Sequence, residues 1–77
     1  MEEKRLRPLS SVKAGKKARI VRVQAGRGLT GQLTAMGLVP DTEITVFSNG
    51  HHGPFVITVR DSKMILGWGM ADKIMVE

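Results

Sequence analysis

Two adjacent histidines, His51 and His52, stand in the stretch Asn-Gly-His-His-Gly-Pro at residues 49–54, in a chain without cysteine. Imidazole is a ligand for zinc and nickel, so the pair is the first place to look for metal chemistry. In an extended segment, however, neighbouring side chains point to opposite faces. The loop also supplies no carboxylate or thiolate to complete a coordination shell. The turn formers on either side mark a hairpin tip, with His51 and His52 at most adventitious ligands for zinc or another divalent ion, and no cofactor is expected. The other candidates for chemistry are cations. Arg19 and Arg22 lie in a basic run, and Arg27 stands between two glycines; such residues hold phosphates or acidic protein surfaces. Trp68, also flanked by glycines, is a candidate anchor for a partner protein or a lid over one end of the fold. Phe47 and Phe55 flank the histidine hairpin and are expected to lie partly in the core.

A catalytic constellation is missing. None of Ser10, Ser11, Ser48 and Ser62 sits in a nucleophile-elbow context. Asp41 and Glu43 flank a turn, and a small domain offers no enclosed pocket to drive their pKa values apart. The Gly-Arg-Gly of residues 26–28 is too short for a nucleotide-binding fingerprint. The chain is therefore not expected to be an enzyme.

The elements that must carry these residues can be read from periodicity. Seventy-seven residues, 42% hydrophobic and 25% charged, make one globular domain. No apolar run reaches the ~20 residues of a membrane span, and the charged start has no signal-peptide core, so a cytoplasmic location is expected. Residues 1–8 are polar and expected to be flexible; the domain is placed at residues 9–77. Leu9 and Val12 share a short turn that Gly15 closes. Residues 17–24 form a strand in which Ala18 and Ile20 share a face, and Val23 rejoins that face only if a bulge intervenes near Val21 and Arg22. A loop over residues 25–28 leads into a helix at about residues 29–37, with Leu29, Leu33 and Met36 on one side. Gly37 and Leu38 stand where a Schellman stop places its left-handed glycine and apolar clasp, and Pro40 prevents continuation. Ile44 and Val46 face one way in the next strand, Thr45 and Phe47 the other. Phe55, Ile57 and Val59 alternate in a strand that runs on through Arg60 and Asp61, with the turn at residues 61–63. A short strand follows at residues 64–67, a helical turn at residues 68–73, and a last strand bearing Ile74 and Val76. About five short strands with one short inserted helix make a mainly β fold, a small barrel.

Charge is lopsided. Residues 1–30 carry nine Lys or Arg against two Glu; residues 31–77 carry three basic residues against five acidic. A basic first half calls for an acidic partner.

Taken in order, the segments Lys-Ala-Gly-Lys-Lys-Ala-Arg-Ile (13–20), Gln32 to Val46, Gly53 to Val59 and Ile65 to Val76 resemble FeoA, the small cytoplasmic component of bacterial ferrous iron uptake, over residues 9–76. The pattern departs at Asp41, where the family most often has glycine; this is read as a change of turn type. The resemblance implies an SH3-like barrel and a non-catalytic accessory role. It implies a partner, the cytoplasmic GTP-binding domain of an iron permease, which would hold the protein at the inner face of the membrane. On that reading Arg19, Arg22, Arg27 and Trp68 are the partner-binding residues, with Arg27 as an arginine finger in the sharpest version. The same fold serves as the C-terminal module of iron-dependent repressors, but the chain carries no helix pair for reading DNA. An alternative is a basic SH3-like barrel that binds RNA; the shortage of aromatic stacking platforms argues against it. Another is an iron chaperone using His51 and His52. Weak self-association through a strand edge is left open.

Overall fold

The computed structural model describes residues 6–50 and 53–77. Its organising strand is β2, Lys17–Val23. The first part of β2 pairs antiparallel with β3, Glu43–Ser48, through Lys17–Thr45, Ala18–Ile44 and Arg19–Glu43. Its second part pairs with β6, Ile74–Val76, and the register shifts between Ile20 and Arg22. Val21 is thus the extra residue of a bulge, at the place where the side-chain pattern requires one. Past it, Val23 packs against the core as expected.

Among the described residues there are six strands, one more than the about five expected. The sheet runs β1, β6, β2, β3, β4, β5, every neighbour antiparallel. β4 is Phe55–Val59 and β5 is Ser62–Leu66. The additional strand is β1, Arg7–Pro8, which pairs with Val76 and Met75. Those two residues were expected in the polar lead and belong instead to the sheet. Proline is tolerated there because an edge strand needs no N–H on its open side.

The core is one apolar cluster in which every strand from β2 to β6 takes part, together with Leu9, Val12, Leu33, Leu38 and Ala71. No polar side chain is buried among the described residues. Leu9 and Val12 are brought in by a 3-10 turn over Leu9–Ser11, closed by the Val12 N–H donating to the Leu9 carbonyl at 3.0 Å. Gly15, at φ 86°, then donates to Val46 at 2.7 Å and fastens the basic loop to β3.

Helix α1 is Arg27–Ala35. Its stop is the expected one: Gly37 adopts φ 88°, the Leu38 N–H donates to Leu33 at 2.9 Å and the Gly37 N–H to Thr34 at 3.0 Å. Leu33 and Leu38 are both buried. Its start lies two residues earlier than expected. Gly26 at the N-cap contributes no side-chain bond, so no capping residue marked the boundary. The turn Val39–Thr42 is closed by Thr42 N–H to Val39 O at 3.2 Å. Asp41 takes φ 72°, the glycine-like conformation that the third position of a type II turn demands. The turn has therefore kept the geometry a glycine would adopt, contrary to the expected change of type.

The β4–β5 hairpin also turns earlier than expected. Arg60 and Asp61 have φ 50° and 69° and Val59 pairs with Ser62, which makes a two-residue loop of the I′ kind. Helix α2, Trp68–Lys73, leads into β6. Ser10 Oγ donates to the Asp72 carboxylate, which ties α2 to the 3-10 turn.

The two left-handed positions around α1 give opposite expectations. Gly37→Ala places a Cβ in the left-handed region and lowers stability by about 1–2 kcal/mol, whereas Asp41→Gly relieves the same constraint and raises stability by up to about 1 kcal/mol, less the chain entropy that glycine adds. Chemical denaturation of the two variants beside the parent checks both signs; equal and same-signed changes are inconsistent with this assignment.

Candidate partner-binding surface

The apolar interior leaves function to the surface. Arg19 is exposed on β2 and lines a shallow cleft with Lys17, Ala18, Glu43 and Glu77. Glu43 is its cross-strand partner, and Glu77 exchanges both backbone hydrogen bonds with it, at 3.0 and 3.1 Å. Two carboxylates thus share the cleft with two cations, and the pairing of opposite charges across strands supports the sheet. Such a cleft is a weaker phosphate site than the basic run alone suggests.

Arg22 lies beyond the bulge, opposite Met75. Arg27 is the first residue of α1, on a helix and not on the glycine loop that the arginine-finger reading requires. Trp68 is the first residue of α2. The four expected partner-binding residues therefore stand on three separate elements. His51 and His52 lie outside the described residues. Among the described residues, no three His, Cys, Asp or Glu side chains cluster as a metal site.

Of the two roles expected of Trp68, the contacts place it as a lid. Its ring meets Phe55 edge-on, with centroids 5.2 Å apart and planes at 72°, and Phe55 is fully buried. Yet 42% of Trp68 remains exposed. It covers part of the core and leaves an aromatic face in solvent.

The surface that sequence reasoning missed is the outer face of β3, β4 and β5. Phe47 is 56% exposed and Ile65 is 68% exposed. The expectation that both phenylalanines are partly core thus holds for Phe55 and fails for Phe47. Phe47 follows the inward-facing Val46 and so points outward; a register shift between Val46 and Ser48 also makes it the bulged residue. The ammonium of Lys63 lies 3.8 Å from the centre of the Phe47 ring, a cation–π contact. Strand parity did hold part of this signal, since Phe47 alternates with the inward-facing Ile44 and Val46. Ile65 gave none, because residues 64–66 are all apolar and show no alternation.

The comparisons with known proteins fit this architecture. The family model for the FeoA domain matches residues 7–77. The chain belongs to the FeoA family. A Methanocaldococcus jannaschii relative named as an Fe(2+) transport protein A is 34% identical over 70 residues, spanning 91% of this chain and 84% of the relative. The crystal structure of an iron uptake regulatory protein, FeoA, superposes with a TM-score of 0.84 at 32% identity, over 95% of this chain and 96% of that one. A manganese-dependent transcriptional repressor superposes with a TM-score of 0.87 at 18% identity, over 97% of this chain and 42% of the repressor; that likeness is one of fold. The FeoA match begins at Arg7, where β1 begins. No helix among the described residues is long and apolar enough to cross a membrane.

The packing role of Trp68 is measurable. A double-mutant cycle of Trp68→Ala and Phe55→Leu is expected to give a coupling energy of about 0.5–1.5 kcal/mol in denaturant unfolding. Strict additivity would mean that the two rings do not support each other.

Proposed function

We propose that this FeoA-type domain is a non-catalytic accessory protein of ferrous iron transport, acting in the cytoplasm by binding the GTP-binding domain of an iron permease. The observation that carries the reading is family membership across residues 7–77, supported by the name and coverage of the Methanocaldococcus jannaschii relative. The form of the fold supports it as well. The described interior is filled by side chains such as Phe55, Leu33 and Ile20 with no buried polar group, so chemistry on an enclosed substrate has no place in it. What the domain presents is surface: cations on β2 and the adjoining loop, and apolar side chains on β3, β5 and α2. An aromatic or aliphatic anchor surrounded by charge is the usual composition of a protein contact.

The test is a titration of the isotope-labelled domain with the soluble GTP-binding domain of the matching permease, with and without a GTP analogue, followed by NMR. Saturable shifts confined to one surface are expected in at least one nucleotide state. Their absence in both states, together with binding of RNA that weakens steeply with salt, would replace this reading by the nucleic-acid one.

A further inference from the structure

The open edge of β5 combines three properties that together define a ligand. First, the sheet ends at β5, so among the described residues no strand lies beside the outer side of Ser62–Leu66. Second, the direction of its backbone groups follows from the hairpin. Val59 and Ser62 flank the two-residue turn and pair with each other, and a closing pair of this kind is hydrogen-bonded. Residues then alternate along an antiparallel ladder. Ser62, Met64 and Leu66 therefore spend their N–H and C=O groups on β4, while Lys63 and Ile65 turn theirs to the free edge. Third, the side chains of these two residues lie on the outer face. Ile65 is 68% exposed, and Lys63 rests on Phe47.

An edge with free amides, an exposed isoleucine and no proline is a template for strand addition. We propose that β5 accepts an extended segment of a partner protein in which an apolar residue faces Ile65 and, two positions along, a carboxylate faces Lys63. Between them a second apolar residue lies beside the half-buried Met64. Charge complementarity selects this occupant over a second copy of the chain. The chain carries +5, and the bulged Phe47 lies between Lys63 on one side and the basic loop, held to Val46 through Gly15 and Lys16, on the other. A second copy brings the same cations to the contact, whereas an acidic strand neutralises them. The inference deepens the accessory reading above by naming a contact surface that excludes Arg19, Arg22 and Arg27, and its test does not need the permease.

The probe is a capped hexapeptide of sequence threonine-valine-valine-glutamate-threonine-glutamate, compared with the same peptide bearing lysine in place of both glutamates. The full-length domain is titrated to about 5 mM peptide, the range in which a weak millimolar complex saturates. Saturable NMR shifts centred on the amides of Lys63 and Ile65 are expected, with the lysine peptide weaker by about tenfold or more. Ile65→Lys should abolish binding, and it leaves the core intact because the side chain is largely in solvent. Lys63→Glu should reverse the preference and favour the lysine peptide. Equal affinity for the two peptides, shifts centred elsewhere, or no saturable shift overturns the proposal. So does a concentration-dependent dimer in sedimentation equilibrium that Ile65→Lys dissolves, since the edge would then belong to a second copy. Titration of the same variants with the GTP-binding domain separates the two readings. Binding that survives Ile65→Lys and Lys63→Glu leaves the accessory role standing without this edge; peptide binding without domain binding leaves the edge standing without that partner.

Discussion

The bulge at Val21 decides the shape of this domain. A strand that pairs on one side with β3 and on the other with β6 must turn between them, and the extra residue supplies the turn while restoring the inward face at Val23. The first and last described strands depend on that crossing. Glu77 exchanges backbone bonds with Arg19, and β6 in turn holds β1. The turn after α1 is fixed to the same point, since Asp41 donates to Ile20 and Ile20 donates to Thr42. Without the bulge, Ile20 and Val23 would face opposite sides of the sheet, and Arg22 would turn inward opposite Ile74.

What was legible in the sequence was what is encoded locally. The Schellman stop could be read because it needs a glycine and an apolar clasp at fixed offsets, and Gly37, Leu33 and Leu38 stand at those offsets. The bulge could be read because Arg22 interrupts an alternation that Val23 resumes. Boundaries without a chemical mark were misplaced. Gly26 caps α1 without a side chain, so nothing in the sequence marks the helix start and Arg27 reads as a loop residue. Arg60 and Asp61 hold left-handed conformations usually given to asparagine and glycine, so their residue types do not mark the turn. The pairing of Arg7 and Pro8 with β6 spans almost the whole chain, and no local pattern encodes it.

The candidate surface was less legible than the fold, for a related reason. Counting cations gives the sign of a partner, but their worth depends on what shares their strand edge. Arg19 looks free in the sequence and is opposed by Glu43 once β2 and β3 pair. Lys63 looks like an ordinary surface lysine in a turn and comes to rest on Phe47, which belongs to a strand two places away. Both facts depend on register, which no list of residue types contains.

The exposed side chains are better explained by partnership than by folding. A domain of this size buries a limited share of its surface, so large apolar groups left outside do nothing for its own stability. Strand alternation puts Phe47 outside, next to the inward Val46, and Ile65 outside, between the inward Met64 and Leu66. Lys63 serves both states of such an edge. Its charge discourages unselective strand pairing while the edge is free, and its ammonium, already placed over an aromatic ring, is the one group there that can select a carboxylate. An edge protected by a cation is thus also an edge with a preference: on the proposed reading, the residue that discourages unselective strand pairing is the residue that selects an acidic strand.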